Sequence, residues 1–349
     1  SCPFLARMGA ITGEAKYFDE CARQILGFKN YLFMDDKKII SELNKGVKKG
    51  SVFSTLISFL LYTVVVMGVI LSFVSMISGS KIGFLLLLIS AGIIFIMIIR
   101  SAITTKKAKK RKEIMGEYVI KPLLEERLEV LEYSPNKKLD KNSISQCKIL
   151  PGFSKLQATD YFRTMYKGVE MEYCDLVLTA EREKTYNDGS SNSYTETVFR
   201  GSFIRLHLEK NLYGYVTLME RKNHKKGKSL VDSLFGVMGK NNLIETKDET
   251  FDNYFEVRSD DEHMALELLT PQFRDRIVKI DEMAQGYTNI DFSADEVTLA
   301  LNNNSDNFEI NKKITNVNDL EERRNRMRTQ LSTVLAIVDE VLANEMLFN

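Results

Sequence analysis

The chain has 349 residues, of which 44% are hydrophobic and 27% charged, and its formal net charge is +1. This charge balance argues against a nucleic-acid-binding body, because such domains carry a strong basic excess. The four cysteines form no Cys-x-x-Cys pair, which is typical of free thiols in a reducing compartment rather than of a disulfide framework or a zinc site.

Residues 1–50 are predicted to form an amphipathic helical segment. Apolar residues recur there at three- and four-residue steps, with charged residues mostly between them. Such a stripe packs on a folded body or lies on a membrane surface, and the first outcome is the commoner one.

Two uncharged runs dominate residues 51–100. No residue between Lys49 and Lys81 carries a charge, and a second uncharged run, 82–99, follows at once. A transmembrane helix needs about 20 mostly apolar residues, and helices buried in soluble proteins rarely reach that length without a charge. We therefore predict a helical hairpin that enters the bilayer and returns, rather than a pair of buried core helices.

Basic residues flank both runs and predict their orientation. Short loops rich in Lys and Arg stay on the cytoplasmic side, and the connector holds Lys81 alone, so we expect both termini in the cytoplasm. The basic juxtamembrane helix, residues 101–133, serves as a topology signal or also attracts anionic lipids. The residues predicted to lie at the membrane surface are Lys106, Lys107, Lys109, Lys110, Arg111 and Lys112.

Small residues inside the hairpin predict close packing of helices. Such residues, four apart, let helix backbones approach, either within one hairpin or between copies of it. Neither run contains Asp, Glu, Lys, Arg or His, which argues against a channel or transporter because ion pathways are usually marked by such residues. The predicted packing residues are Gly68, Ser72, Ser75, Gly79 and Gly92.

Residues 134–349 are predicted to form a cytoplasmic α+β domain. Apolar and polar residues alternate in several segments, as in half-buried strands, and the Asn-Asp-Gly turn that begins at Asn187 predicts an antiparallel hairpin. Because the connections are short, we expect a mostly antiparallel sheet with flanking helices. The predicted strands span 170–183, 194–208, 213–220, 253–258 and 297–301.

Helix-start signals predict the helices of this domain. Ser259 with Glu262 and Asn318 with Glu321 read as capping boxes, and Pro271 suits a first helical position. The long C-terminal helix carries an apolar stripe whose near-heptad spacing suits packing inside the domain or pairing between subunits. The predicted helices span 113–133, 260–269, 271–284 and 319–347, with a loop at 134–145.

The sequence contains no clustered catalytic set, and we predict no cofactor, no metal ligand and no catalytic residue. The run Gly227-Lys228-Ser229 lacks the upstream glycine of a phosphate loop, whose position holds Lys222. The acidic run Asp260–Glu262 is expected in a first helical turn from the helix dipole alone. Cys147 and Cys174 have no evident base partner.

Several short motifs lie between residues 169 and 309. They are Phe199–Phe203, Tyr254–Val257, Asp260-Asp261, Leu268–Pro271, Ile290–Phe292 and Phe308-Glu309. These motifs resemble a bacterial membrane-protein family that is catalogued only as a domain of unknown function. Its members carry paired transmembrane helices ahead of a cytoplasmic domain, so the resemblance implies a bacterial cytoplasmic-membrane protein and no established activity or ligand.

Two functions from different classes remain open. We prefer a membrane-anchored interaction or scaffold module, whose body recruits a protein partner or a second copy of the chain. The alternative is a membrane-tethered enzyme with a site assembled from dispersed residues. An extended apolar or symmetric surface would favour the module, and a deep polar cleft with perturbed titratable groups would favour the enzyme.

Overall fold

The structure is a computed structural model, and it describes residues 10–12, 17, 35–44, 52–78, 82–185, 191–221, 242–305, 307–308 and 314–348. The chain divides into two compact units: residues 1–118 with 313–320, and residues 119–312 with 321–349. Most of the predicted N-terminal helical segment, the turn at 187–190, the basic loop at 222–229 and Gly79 lie outside the described residues.

The first unit contains the helices α1 (Asp36–Asn44), α2 (Val52–Ile77) and α3 (Ile82–Met115). Helix α1 buries one apolar face inside this unit. The Asn44 Nδ2 donates to the carbonyl oxygen of Ile314 at 2.7 Å. Helices α2 and α3 coincide with the two uncharged runs and pack side by side, and α3 continues without a break into the basic tract.

Among the described helices, the continuous stretch Ile82–Glu125 is long and apolar enough to cross a membrane. The described apolar part of α2, Leu61–Ser75, is shorter than a span requires. The structure thus contains one candidate span, and the two-span hairpin remains a prediction.

The helix predicted for residues 113–133 ends early. A π-helical turn (Gly116–Ile120) follows α3, the short α4 (Lys121–Glu125) has Pro122 in its first turn, and the strand β1 then spans Glu129–Ser134. The prediction is wrong from residue 129, because β1 pairs with β2 (Lys155–Tyr166), a strand that the sequence analysis missed.

The second unit is built on an antiparallel sheet, which confirms the predicted α+β class. After β1 and β2 come β3 (Val169–Thr185), β4 (Ser191–Glu220), β5 (Leu243–Ile244), β6 (Phe255–Ser259) and β7 (Tyr287–Asn302). The strands lie in the order β1-β2-β3-β4-β6-β5, and β7 pairs with β4. The predicted β3–β4 hairpin is confirmed, with Thr185 opposite Ser191.

Strand β4 joins two of the predicted strands into one of 30 residues. Its first half pairs with β3, its end pairs with β6, and β7 follows most of its length on the other edge. A bulge interrupts the β4–β7 pairing between His207 and Tyr215, where Tyr213 is fully exposed. The Tyr215 backbone N–H donates there to Asp260 Oδ1 at 2.9 Å, and this hydrogen bond holds the backbone at the end of the bulge in place.

The helices after α4 are α5 (Lys141–Ser145), α6 (Glu249–Tyr254), α7 (Glu262–Leu268), α8 (Pro271–Ala284), α9 (Val317–Leu342) and α10 (Glu345–Phe348). Helix α8 has the predicted bounds, whereas two predicted caps are wrong. Asp261 caps α7 by accepting from the Met264 N–H, because the Ser259 hydroxyl bonds to the Asp261 backbone instead. Asn316, rather than Asn318, accepts from the Asp319 N–H at the start of α9.

The long C-terminal helix α9 buries its apolar stripe within the chain's own fold. Leu331, Val334, Val338 and Val341 are at most 3% exposed. Polar contacts also hold the helix: Arg328 forms a two-point ion pair with Glu126 at 2.8 and 3.0 Å. The stripe therefore packs inside the chain, and the structure leaves none of these four side chains for pairing between subunits.

Candidate functional site

The predicted small-residue positions divide between a helix contact and an open surface. Gly68 of α2 faces Ser90 of α3, and a Cβ added at Gly68 would lie 2.6 Å from the Ser90 Oγ. Ser72 is fully buried and Ser75 is half-buried, whereas Gly92 is exposed and has nothing within 4 Å of an added Cβ.

The contact between α2 and α3 follows a repeat of alternating three- and four-residue steps. This repeat averages 3.5 residues and is typical of two helices that pack at a shallow angle. We call this contact the α2–α3 seam. Its buried or half-buried residues are Leu61, Val65, Gly68, Ser72 and Ser75 in α2, and Gly83, Leu86, Ser90, Ile93 and Met97 in α3.

The serine hydroxyls on the seam bind within their own helices. Ser90 Oγ donates to the Leu86 carbonyl oxygen at 2.9 Å, and Ser72 Oγ donates to that of Val69 at 2.7 Å. A serine whose hydroxyl donates to a backbone carbonyl of its own helix needs no water as a hydrogen-bond partner, so it fits an apolar setting. The described part of the seam therefore suits an environment without water.

Outside the seam, large apolar side chains face outward. Phe73, Phe84 and Phe95 are 64–66% exposed, and further large apolar side chains of both helices are also exposed. Monomeric soluble proteins rarely expose contiguous apolar patches of more than a few hundred Å². The arrangement is typical of a surface covered by lipid or by another apolar body.

The predicted membrane-surface residues all lie in α3, directly after its apolar part. Lys106, Lys107, Lys109 and Lys110 are exposed, and Arg111 and Lys112 are half-buried. A helix presents residues of such a run in all directions, so the tract forms a collar of positive charge around α3 rather than one face.

A separate cavity of about 660 Å³ lies within the second unit. The end of β7, the segment after it, the C-terminal end of α8 and the middle of α9 form its walls. The described side chains that line it are all uncharged. Among them are Ser202, Asn303, Ser305, Asn307, Gln330 and Thr333.

A buried hydrogen-bond network supports the floor of this cavity. Asn307 Nδ2 donates to Tyr173 Oη and to Ser202 Oγ, both at 2.9 Å. The Tyr173 hydroxyl donates to Asp175 Oδ1 at 2.8 Å, and the Asn307 backbone N–H binds Asp175 Oδ2 at 3.1 Å. Four residues from three separate segments thus hold one another in place.

Burial and the nearby Asp175 carboxylate raise the pKa of Tyr173 well above its ordinary value. The phenol therefore stays protonated at neutral pH and acts as a hydrogen-bond donor to Asp175. Burial also raises the pKa of the Cys147 thiol to about 11 and raises that of Cys174. Neither thiol has the low pKa of an activated nucleophile.

This network was not predicted from the sequence. One signal was available: Asp175 follows Tyr173 at the two-residue step of a strand, so a carboxylate falls on an apolar, inward-facing side. The partners Ser202 and Asn307 carried no comparable signal. Within the described ranges, no group of three or more His, Cys, Asp and Glu side chains is placed to hold a metal ion.

Comparison with known families gives one match. Residues 197–342 match a family model described as "Protein of unknown function (DUF3137)". A DUF3137 domain is found there. It runs from β4 to the end of α9, so it contains every residue that lines the cavity, whereas Tyr173 and Asp175 precede it.

No curated protein matches the chain. One solved structure, described as the crystal structure of the mycobacterial trehalose monomycolate transport factor A, TtfA, is 10% identical. The similarity covers 58% of this chain and 87% of that chain, with a TM-score of 0.30. A score this low supports no conclusion about a shared fold or function.

Proposed function

We propose that the chain is a membrane-anchored interaction module of the bacterial cytoplasmic membrane. In this proposal α2 and α3 cross the bilayer as a hairpin, both termini lie in the cytoplasm, and the α+β body recruits a partner. The observation that carries the proposal is the outward-facing apolar surface that the described residues of both helices form outside the α2–α3 seam.

The charge pattern supports the orientation. The collar of Lys106–Lys112 follows the apolar part of α3 directly, and Lys and Arg near a span stay on the cytoplasmic side. Each basic residue near an anionic membrane surface contributes about 1 kcal/mol of attraction. The collar thus both retains its end of α3 in the cytoplasm and binds acidic lipid headgroups.

The membrane location is tested by alkaline carbonate extraction of cells that produce the full chain. Leu88 of α3 is 53% exposed, so Leu88→Lys would place a charge against lipid and lower the membrane-bound fraction. Tyr194→Lys changes an exposed residue of the body and serves as the control. If α3 instead faced water, Leu88→Lys would leave the membrane-bound fraction unchanged.

One exposed tyrosine of the body supports the recruitment of a partner. Tyr213 is fully exposed at the β4 bulge, and tyrosines are enriched at the centres of protein interfaces. We expect Tyr213→Ala to reduce the partner that co-purifies in mild detergent, whereas Tyr194→Ala, at another exposed tyrosine, retains it. A particle that is strictly monomeric and free of partners would contradict the proposal.

Self-association is the second form that recruitment takes in this proposal. Gly68 and Ser72 are used within the hairpin, so association between hairpins falls to the exposed side of α3 that carries Gly92. Gly92→Leu should then lower the mass of the purified particle. An unchanged oligomeric mass would exclude Gly92 from the contact.

A further inference from the structure

We propose that the cavity between α9 and the end of β7 binds an uncharged small molecule that carries hydroxyl and amide groups. This inference concerns the body alone, so it stands whether or not the hairpin crosses a membrane. It rests on the size of the cavity, the chemistry of its walls, a buried acceptor and a fixed floor.

The size of the cavity suits a small molecule. Its volume of about 660 Å³ falls within the range of roughly 300–1,000 Å³ that ligand sites occupy. Its walls come from a strand end, a helix end and the side of α9, so it is a cleft between packed elements rather than a gap in one layer. Ligand sites commonly occupy such junctions.

The walls of the cavity disfavour a charged ligand. None of the described lining side chains is ionised, so a charged ligand would lose its hydration without gaining a counter-ion. Asn303, Thr329 and Thr333 offer amide and hydroxyl groups, and Met283 and Ala336 offer an apolar surface. This mixture suits hydroxyl and amide groups on a carbon skeleton.

One wall residue has an unused acceptor. Gln330 lines the cavity from α9, and its Oε1 is buried without a hydrogen-bond donor among the described residues. A buried acceptor that lacks a partner costs free energy, and a rotamer change that turns this oxygen into the cavity would let a ligand O–H or N–H remove that cost.

The opposite wall is already ordered. Asn307 is held by Tyr173 and Ser202, and Asn303 Nδ2 binds the Ala284 carbonyl oxygen at the end of α8 at 3.3 Å. The Ser305 hydroxyl donates to Asn303 Oδ1 at 2.6 Å. Polar groups fixed before binding lose little entropy on binding, which favours a specific site.

The test uses the full chain in lipid nanodiscs with 13C-labelled methionine methyl groups. Met283 lines the cavity, so its methyl resonance, assigned with Met283→Leu, reports binding there. The probes are three sugars of similar size: N-acetylglucosamine is uncharged and carries an amide, glucosamine is a cation and glucuronate is an anion. We expect N-acetylglucosamine alone to shift Met283, with a dissociation constant on the order of 1 mM.

Two variants connect the signal to the cavity. Gln330→Leu removes the buried acceptor and should weaken binding by about three- to tenfold. Thr333→Trp places a large side chain at an exposed lining position of α9 and should abolish the shift, whereas Glu322→Trp, also exposed on α9 but outside the cavity, should not. Circular dichroism verifies that each variant is folded.

Three outcomes would overturn the proposal. The first is no shift of Met283 with N-acetylglucosamine, and the second is an equal shift with either charged sugar. The third is unchanged binding in folded Thr333→Trp, which would place the ligand elsewhere.

Discussion

Gly68 of α2 and Ser90 of α3 meet so closely that a Cβ added at Gly68 would lie 2.6 Å from the Ser90 Oγ. A Cβ in that position would force the Ser90 hydroxyl to move, so glycine at residue 68 lets α2 pack against Ser90 without displacing it. This contact fixes the register of the α2–α3 seam. It also separates Gly68 from Gly92, which looks equivalent in the sequence and has open space around it.

Exchanging the small residue at position 68 with the larger residue at position 90 tests this contact. Gly68→Ser should destabilise the helix pair by about 1–3 kcal/mol, the usual cost of overpacking. The double variant Gly68→Ser with Ser90→Gly should recover most of that loss, because the added atoms take the vacated space. The measurement is the disulfide yield in membranes between cysteines introduced at Val65 and Ile93 of the seam. Gly92→Ser is the matched control, and an equal loss of yield there would refute the assigned register.

A second glycine controls the pairing of β4 with β7. A Cβ at Gly201 would lie 1.9 Å from the Leu301 carbonyl oxygen, whereas one at Gly152 meets nothing within 4 Å. We expect Gly201→Ala to lower the free energy of unfolding by about 3 kcal/mol or more, since backbone must move. Urea unfolding of the full chain in mild detergent, followed by circular dichroism, measures this. Gly152→Ala should leave the midpoint unchanged, and a wild-type midpoint for Gly201→Ala would show that the two strands are not paired as described.

The buried network makes its own prediction. Tyr173→Phe keeps the ring, which stacks on Phe162 at 4.8 Å between centroids, but removes the hydroxyl that donates to Asp175. A buried carboxylate that loses a donor costs about 1–3 kcal/mol, so the free energy of unfolding should fall by that amount. Tyr194→Phe removes an exposed hydroxyl and should cost nothing measurable. Equal stability of the two variants would contradict the network.

The ion pairs of Glu340 in α9 predict that the stability of the body depends on pH. Hydrogen bonds from Lys279 and Arg276 of α8 hold the pKa of its carboxyl below the ordinary value of 4.5. Because the folded pKa is lowered, the stabilisation is fully present above about pH 4.5 and is lost as the pH falls through the folded pKa. The cations are largely exposed, so the contribution should be about 1 kcal/mol.

Hydrogen–deuterium exchange of α8 and α9 measures this contribution. At pH 7, Glu340→Gln should exchange faster than the parent chain, and the difference should shrink towards pH 3. Glu322→Gln changes an exposed carboxylate of the same helix and is the control. A difference that persists unchanged at pH 3 would exclude the charge on Glu340 as its cause.

The sequence predicted those elements whose local signals agree with their surroundings. The Thr270-Pro271 start and the apolar face of α8 gave its bounds, and the alternation of β3 and β4 gave their hairpin. Strand β2 was missed because its register shifts between Thr159 and Phe162, where Asp160 has a positive φ, so the two-residue period breaks. A bulge hides a strand from any argument based on alternation.

The cavity lay beyond sequence reasoning for a different reason. Its residues come from β4, α8, the segment after β7, and α9, and only the packing of α9 on the sheet brings them together. Ser202, Asn307 and Gln330 are ordinary polar residues when read singly. The pairing of α2 with α3, in contrast, follows two continuous uncharged runs, so composition alone predicts two apolar helices there.

The membrane hairpin is the central claim, and cysteine accessibility in intact cells tests it most directly. In a background with Cys2→Ser and Cys21→Ser, an impermeant maleimide should label Ser80→Cys in the connector from outside. Glu322→Cys in the body should react only after the membrane is permeabilised. Labelling of Glu322→Cys in intact cells would contradict the account.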